Sequence, residues 1–339
     1  MSHSFAHDVL QPLVRGSDLE RVQARDALAE ILAGHVEATL IASFLTALTC
    51  KGETIAEMTG FVDAMLDAAT PLKVSDEAID IVGTGGDQLH TVNISTMASL
   101  AVAGCGVPVA KHGHRAASSS VGSADVLEAL GVKLDVSPAI VNASLEEAGI
   151  AFLFAPTYHH ALGYLSPIRR ALGFRTIFNV LGPLANPARV KRSLIGVAQA
   201  HLLDPMSHVL SAQEVTYAVL VHGHDGLDEL SLGARTSLIT VTRDSVSLSE
   251  IDAGEVLGRR REAQEIYGGD TEDNVAVVRS FLEGVEGPVM DVTCANAALA
   301  LMVAGRATSL EEGFAQAHDS VVSGRAATAL ERLVAVSNS

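Results

Sequence analysis

Cysteine is scarce in this chain, and its three residues, Cys50, Cys105 and Cys294, are far apart and odd in number. Such spacing fits neither a framework of disulfide bonds nor the paired cysteines of a zinc site. No apolar run approaches the ~18 residues that a membrane-spanning helix needs. The first residues, MSHSFAHDVL, also lack the basic and apolar regions of a signal peptide. We therefore expect a cytoplasmic protein with no membrane partner.

Positive charge is also in short supply. Lys and Arg number 23 against 40 Asp and Glu, which gives a net charge of −17. A chain this acidic repels nucleic acid unless basic residues are concentrated on one face, and the sequence contains no long basic run. A nucleic-acid partner is therefore disfavoured. At 339 residues, 48% of them apolar, the chain is long enough for about two domains with a sizeable core.

Three common catalytic signatures are missing. The sequence has no Gly-x-x-x-x-Gly-Lys-Ser/Thr phosphate loop, no Gly-x-Gly-x-x-Gly dinucleotide fingerprint and no Gly-x-Ser-x-Gly nucleophile turn. Their absence argues against a P-loop nucleotide hydrolase, a dinucleotide-binding fold and the commonest type of serine hydrolase.

The apolar pattern divides the chain into two parts. Up to residue 70 apolar residues recur at helical spacing, with no alternating strand between them. From Ala78 onward strands alternate with helices, which implies parallel pairing. We therefore predict an α/β fold with a small N-terminal α-helical domain, residues 1–70, and a larger α/β domain, residues 71–339, around a mainly parallel central sheet. Helices around 160–185 are expected to join the helical domain.

Two loops at the predicted strand ends have the composition of a phosphate site. In GTGGD, glycines let backbone N–H groups approach a ligand closely, and in KHGHR, Lys111, His112 and His114 add cationic or proton-donating groups. Open α/β sheets bind ligands beyond the carboxyl ends of their strands. Simpler alternatives remain: an ordinary turn, a helix N-cap at NIST and a solvated loop. The two histidines lack further ligands at zinc spacing.

A pair of acids follows another strand. Asp228 and Glu229 lie in HGHDGLDELS, after a strand and a glycine. Adjacent acids are most often surface charge, but carboxylates beside a phosphate cradle are what Mg²⁺ requires. A metal ion there would also account for Asp87, which would otherwise repel a phosphate bound by the glycine turn.

Together these motifs resemble those of the anthranilate phosphoribosyltransferases of tryptophan biosynthesis. The matching stretches are GTGGD, NIST, KHGHRAASS, GSADVLEALG, RTIFNVLGPLANPA and DGLDELS, in the family's order from about residue 78 onward. The resemblance implies a pentosyl-transferring glycosyltransferase that moves the 5-phosphoribosyl group from 5-phosphoribosyl-1-pyrophosphate (PRPP) to the amine of anthranilate and releases pyrophosphate. This is the second step from chorismate to tryptophan. It also implies a fold like that of nucleoside phosphorylases, Mg²⁺ with two ions per active site, and a homodimer that forms through the helical domain.

The resemblance also implies a role for individual residues. Lys111, Asp228 and Glu229 are the implied catalytic residues, and Ser95, Asp228 and Glu229 are the implied metal ligands. The implied PRPP-binding residues are Gly83, Gly86, Asp87, Thr91, Asn93, Ile94, Ser95, Thr96, Lys111, His112, Gly113, His114, Arg115, Ala116, Ala117, Ser118, Ser119 and Ser123. The implied anthranilate-binding residues are Gly83, His112, His114, Arg169 and Gly182.

The chain departs from the family pattern at two positions near the implied acceptor side. His114 stands where the family usually has asparagine, and His160 stands where it has proline. Two alternative functions compete with the transferase. A nucleoside phosphorylase of the same fold also carries a Lys-His pair, but GTGGD, NIST and NVLGPLANPA favour the transferase. A non-catalytic relative that binds nucleic acid is disfavoured by the charge.

Overall fold

The N-terminal part of the chain is helical, as predicted. The computed structural model describes residues 5–87, 89–115 and 121–339. A π-helical turn at Ala6–Leu10 and a short helix at Gln11–Val14 precede α1 (Arg21–Leu32), α2 (Ala38–Lys51) and α3 (Ile55–Ala68). The helices pack through buried apolar residues, with Phe44 edge-on to Phe61 at 5.9 Å between ring centroids. This part is a bundle built on helical periodicity.

The fully buried Glu57 ties the start of α3 to its neighbours. Its Oε1 accepts a hydrogen bond from the Leu19 N–H at 3.0 Å. Its Oε2 accepts from the Thr54 N–H at 2.8 Å and from Lys51 Nζ at 2.9 Å. Lys51 Nζ also donates to the exposed Asp18 at 2.6 Å. One carboxylate thus satisfies two backbone donors and a nearly buried ammonium group.

The remainder of the chain forms a seven-stranded sheet in the order β3-β2-β1-β4-β5-β6-β7. The strands are β1 (Ile79–Gly83), β2 (Val109–Gly113), β3 (Ile150–Phe154), β4 (Arg192–Gly196), β5 (Tyr217–Gly223), β6 (Thr236–Thr242) and β7 (Val246–Ile251). Pairing is parallel from β3 to β5 and antiparallel from β5 to β7. The mainly parallel sheet, with its small helical partner, confirms the predicted fold class.

Helices cover both faces of the sheet. They are α4 (Ile94–Gly104), α5 (Ser123–Ala129), α6 (Pro138–Ala148), α7 (Ser166–Leu172), α8 (Leu203–Ala212), α9 (Thr271–Leu282), α10 (Pro288–Val303), α11 (Leu310–Val322) and α12 (Arg325–Ser337), with short helical turns at Ala155–Tyr158, His160–Leu165, Ile177–Asn179, Gly182–Leu184, Ala200–Leu202, Ala253–Val256 and Ala263–Ile266. None of the helices in the described residues is long and apolar enough to cross a membrane.

Two large cores lie on opposite faces. One packs α4 and the C-terminal helices against the sheet. The other joins the N-terminal helices, α8 and residues of 165–185, such as Leu165 and Phe178, to apolar side chains of β4, β5 and β6. The domain boundary drawn at residue 70 stays a prediction.

The strand order places a ligand crevice at one point of the sheet. The chain runs outward from β1 to β3 and then returns to β4, which lies beside β1. The crevice of an open α/β sheet lies where the strand order reverses in this way, outside the carboxyl ends of the strands. Here those ends are Gly83 and Gly196, which face each other in the β1–β4 register.

We expect Glu57→Ala to lower the free energy of unfolding by about 3 kcal/mol, because it leaves Lys51 and two backbone N–H groups without their shared acceptor. Urea denaturation measures this value. Asp18→Asn is the control, since it removes an exposed partner of the same lysine and should change stability by less than about 1 kcal/mol. Equal effects of the two substitutions would contradict the role given to Glu57.

Candidate active site

A cleft of about 390 Å³ opens at the carboxyl ends of β1 and β2. Its floor is the turn after β1, from Gly83 to Asp87, and the start of α4 at Asn93 to Ser95. Asn93 stands at the N-cap position but makes no capping hydrogen bond through its side chain. The Ser95 hydroxyl lines the cleft at the positive end of the α4 dipole, whereas the Ile94 and Thr96 N–H groups donate to the carbonyl oxygens of Val92 and Asn93 at 2.7 Å and 3.1 Å.

The loop that carries the two acids lies directly on the ends of β1 and β4. A Cβ atom at Gly196 would lie 1.7 Å from the Asp228 carbonyl oxygen, and one at Gly83 would lie 2.7 Å from Asp228 Oδ2. Glycine is therefore required at both strand ends. The Gly85 N–H donates to Asp228 Oδ2 at 2.8 Å, which fixes that carboxylate over the glycine turn.

The side of the loop away from β1 is held by Asn296 of α10. This fully buried amide accepts from the Leu230 N–H at 2.9 Å and donates to the Leu230 carbonyl oxygen at 3.1 Å. The loop is thus fixed on both sides of Asp228 and Glu229.

The three acids of the cleft crowd one another. Burial, together with the neighbouring Asp87, raises the pKa of Asp228 to about 6. Burial and then the charge of Asp228 raise the pKa of Glu229 well above its usual value, and burial raises that of Asp87. Carboxylates in this state are stabilised by a nearby cation.

Lys111 is the buried cation beside these acids. Only 2% of its surface is exposed, and its Nζ donates to the Ile81 carbonyl oxygen at 2.6 Å and to Ser95 Oγ at 3.2 Å. Burial lowers the pKa of Lys111 to about 8, although the charges of Asp80 and Glu229 oppose this shift. The ammonium group is thereby fixed at the junction of the glycine turn and the α4 N-terminus.

The opposite side of the cleft is apolar and aromatic. The rings of His112 and His159 lie 5.4 Å apart between centroids, and His159 Nε2 donates to the Ala185 carbonyl oxygen at 2.9 Å. Burial lowers the pKa of both histidines, so that both are neutral at pH 7. Arg169 lies over the Phe178 ring at 5.7 Å, and its guanidinium forms no ion pair with any acid of the described chain.

Most of the residues singled out by sequence line this cleft. They are Gly83, Gly86, Asp87, Thr91, Asn93, Ile94, Ser95, Lys111, His112, Gly113, His114, Ser123, Arg169, Gly182, Asp228 and Glu229. Thr96 is buried beneath the lining, and Arg115 points instead to Glu128 at 2.7 Å. Ala116, Ala117, Ser118 and Ser119 lie outside the described residues. His114 lines the cleft with its Nδ1 on the Arg115 carbonyl, whereas the exposed His160 is not part of the lining.

Several residues of the cleft are not expected from the sequence. His159, Phe178, Asn179 and Pro183 line it, although the last three lie in the matching stretch RTIFNVLGPLANPA. Arg175 was also missed: its Nη2 donates to the Gly85 carbonyl oxygen at 3.4 Å across the cleft mouth. Arg175 opens the matching stretch RTIFNVLGPLANPA, but the resemblance implied no role for it.

Within the described residues, no three His, Cys, Asp or Glu side chains are arranged to hold a metal ion by themselves. Mg²⁺ usually binds one or two carboxylates and takes its other ligands from water and substrate phosphates.

Comparison with known proteins identifies the family. Residues 75–327 match the Glycosyl transferase family, a/b domain, and residues 7–69 match the Glycosyl transferase family, helical bundle domain. Anthranilate phosphoribosyltransferase of Thermomicrobium roseum is 47% identical over 97% of this chain and 96% of its own length. That of Chelativorans sp. is 46% identical over 95% of each chain. The chain belongs to the anthranilate phosphoribosyltransferase family.

Solved structures agree with this assignment. Anthranilate phosphoribosyltransferase from Thermus thermophilus superposes with a TM-score of 0.91 at 39% identity, covering 98% of this chain and 100% of the other. The Saccharomyces cerevisiae enzyme, solved in complex with PRPP and Mg, gives 0.89 at 26% identity, covering 99% of each chain. The family resemblance seen in the sequence is confirmed.

The raised pKa of Asp228 predicts how the free energy of unfolding depends on pH. The folded chain holds a proton on this carboxyl up to about pH 6, whereas the unfolded chain releases it near pH ~3.9, so the group lowers stability as the pH rises through this window. We expect Asp228→Asn to raise the free energy of unfolding at pH 7 by roughly 2–3 kcal/mol, with a gain that shrinks towards pH ~4.

Chemical denaturation of the ligand-free protein at several pH values measures this difference. His112 and His159 have lowered pKa values, so they make the folded protein less stable as the pH falls below about 6.5. Both proteins contain these histidines, so their contribution cancels when the two free energies of unfolding are subtracted. Asp244→Asn, on an exposed turn, is the control and should show no such pH dependence. A gain that does not vary with pH would contradict the crowding of these acids.

Proposed function

We propose that this chain transfers the 5-phosphoribosyl group from PRPP to anthranilate and releases pyrophosphate, as its family membership implies. The observation that carries the proposal is the two-sided cleft. One side joins a glycine turn, a helix N-terminus and the buried Lys111 to a pair of acids, and the other presents an unpaired arginine beside aromatic rings. The first set suits a phosphorylated donor, and the second suits a planar aromatic acid.

The donor side would bind PRPP through backbone and side-chain donors. Gly83, Gly86 and Thr91 lie along the turn, and Asn93, Ile94 and Ser95 lie at the α4 start, so the hydroxyl groups of Thr91 and Ser95 and the positive end of α4 would face phosphate oxygens. Asn93 Oδ1 and Thr96 Oγ1 are buried and have no hydrogen-bond partner among the described residues. Buried polar groups are normally satisfied, so the Asn93 oxygen is available to bound water or to a substrate hydroxyl group, and the Thr96 hydroxyl beneath the lining is available to bound water. The roles of Arg115 and Ala116 through Ser119 stay predictions.

Mg²⁺ fits the acid side of the cleft. The raised pKa values of Asp228 and Glu229 are those of carboxylates that lack a sufficient counter-charge, and the Ser95 N–H and hydroxyl lie beside them. Ser95, Asp228 and Glu229 are the residues that would hold the metal, directly or through water, with two ions per active site. When bound, the ions would neutralise charge on the pyrophosphate.

The acceptor side would bind anthranilate by its carboxylate and its ring. Arg169 is half-buried and unpaired, and a planar guanidinium suits bidentate contact with a carboxylate better than an ammonium group does. His112, His159 and Phe178 supply flat surfaces around it, and Gly182 leaves open space, since no atom lies within 4 Å of a Cβ placed there. His114 lines the same region, so a change of asparagine to histidine there affects the acceptor pocket directly.

The arrangement accounts for the chemistry of the transfer. Cleavage of the bond between C1 and pyrophosphate builds negative charge on the leaving group, which the ammonium group of Lys111 and the positive end of the α4 dipole are placed to stabilise. The attacking amine of anthranilate is neutral, so no strong base is required. The neutral state of His112 and His159 also prevents them from competing with Arg169 for the acceptor carboxylate.

Three further features belong to the same proposal. The helical part, residues 1–70 with 160–185, would form a homodimer, and the chain would act in the cytoplasm with PRPP and anthranilate as its small-molecule partners.

A nucleoside phosphorylase reaction is the second candidate, favoured only by the Lys-His pair. It would use phosphate and a pyrimidine nucleoside in the same cleft.

A fluorescence assay of anthranilate consumption tests the proposal. The purified protein should consume anthranilate only when PRPP and Mg²⁺ are both present, and chelation of the metal should stop the reaction. Asp228→Asn combined with Glu229→Gln should abolish turnover but leave the fold intact. Phosphorolysis of uridine or thymidine without anthranilate consumption would favour the phosphorylase.

Lys111→Ala should weaken the use of PRPP much more than that of anthranilate, because the ammonium faces the donor side. Charge-assisted contacts are worth ~1.5–3 kcal/mol, so kcat/KM for PRPP should fall roughly tenfold to hundredfold. Arg169→Lys should show the reverse preference, with its main effect on the KM for anthranilate. Lys133→Ala, at an exposed position, is the control. Equal losses for both substrates in Lys111→Ala would make this lysine structural.

A further inference from the structure

Strands β1 and β2 separate just where the cleft begins. They are paired at a single position, Ile79 with Val109, whereas β1 with β4 and β2 with β3 are each paired over five. Beyond this position the backbone groups that face each other across the gap are not joined by the regular ladder. Buried backbone donors and acceptors must be satisfied in some other way.

Two buried side chains fill this gap. Asp80 Oδ1 accepts from the His112 N–H at 3.1 Å, and Asp80 Oδ2 accepts from Asn186 Nδ2 at 2.8 Å. Asn186 Nδ2 also donates to the Ala110 carbonyl oxygen at 2.9 Å. Exposure is 1% for Asp80 and 5% for Asn186. The pair therefore replaces ladder hydrogen bonds on the β2 side while keeping the two strands apart.

The same pair is joined to the acceptor side of the cleft. Asn186 follows the turn at Gly182–Leu184, and its Oδ1 accepts from the Ala188 N–H at 2.9 Å, which fixes the end of that segment. The adjacent Ala185 carbonyl accepts from His159, whose ring lies against that of His112. Contacts thus connect the His112 backbone of β2 through Asp80 and Asn186 to the segment that holds His159. The His159 ring then lies against that of His112, which closes the circuit.

We propose that Asp80 and Asn186 are positioning residues that hold β1 and β2 apart and so set the places of Lys111, His112 and the Gly182 segment in the cleft. The inference rests on the proposed transfer reaction. Because the strands are held apart, Lys111 Nζ can donate to the Ile81 carbonyl oxygen of β1. In a regular ladder, that oxygen would accept from a backbone N–H group of β2 instead. Neither residue touches the cleft itself, so each acts only through the groups that it holds.

The chemistry of the pair explains why these two residue types are needed. Asp80 faces two donors, the His112 N–H and the Asn186 amide, and only a carboxylate offers an acceptor to both. An asparagine at position 80 would place an NH₂ group against one of these donors. A displacement of about 1 Å in a substrate-positioning group is enough for a loss on the order of 100-fold.

Asp80→Asn is the first test, with Glu57→Gln as its matched control. Both changes convert a fully buried carboxylate, bound to backbone N–H donors and near a lysine, into an amide, but Glu57 lies in the helical bundle. Below the melting temperature of each variant, we expect Asp80→Asn to lose tenfold or more in kcat/KM for anthranilate, by the same positioning argument. Glu57→Gln should keep the parent kinetic constants and lose only thermal stability.

Asn186→Ala is the second test, and it decides the matter if Asp80→Asn does not fold. It should raise the KM for anthranilate more than that for PRPP, because it frees the Gly182 segment. Hydrogen–deuterium exchange provides a readout that is independent of activity: peptides covering 109–113 should exchange faster in both site variants than in the parent and in Glu57→Gln.

The proposal requires both the kinetic loss and the faster exchange. Faster exchange with parent kinetics would make the pair merely structural, and kinetic loss without faster exchange would give Asp80 a purely electrostatic role; either result overturns the inference. Failure of the parent protein to consume anthranilate would overturn the proposed function instead, while the exchange measurement would still report whether the pair keeps the strands apart.

Discussion

The site depends on the close approach of the acid-bearing loop to the ends of β1 and β4. Asp228 touches both strand ends so tightly that neither Gly83 nor Gly196 leaves room for a Cβ atom. This contact places carboxylates over the glycine turn that would bind phosphate. The strand order makes the contact possible, because β1 and β4 are neighbours at the point where the chain reverses direction across the sheet. Two glycines therefore decide whether the acid-bearing loop and the glycine turn can share one crevice.

This geometry leaves the ligand-free cleft electrostatically strained. Three acids lie in or beside a buried region where their pKa values are raised, and the single buried ammonium among them has its pKa lowered. Acids and lysine are each less stable in their charged forms than they would be in water, because burial removes hydration that their mutual attraction does not replace. A phosphorylated substrate with its metal ion would supply both missing charges. Stability given up at such a site is typical of groups that are placed for function.

The sequence predicted the donor side of the site better than the acceptor side, and the reason is physical. Glycines after a strand and polar residues at a helix start are local signals, so GTGGD and NIST could be placed without knowing the tertiary structure. The opposite side of the cleft is assembled from several segments of the chain, and His159 and Phe178 both line it although neither belongs to a strand. The fold class followed from helical and strand periodicity, but the separation of β1 from β2 did not, since it depends on Asn186, 106 residues from its partner.

The two departures from the family pattern, His114 and His160, differ in their effect because only one of them lies in the cleft. His114 follows directly from β2 and lines the cleft, whereas the exposed His160 does not. The neighbouring His159, not His160, turns inward and binds the Ala185 carbonyl, which belongs to the segment that Asn186 fixes. A larger ring at position 114 therefore changes the pocket while the contacts behind it stay intact. The positions of Lys111 and His112, by contrast, are set by hydrogen bonds to β1 rather than by the residue at position 114.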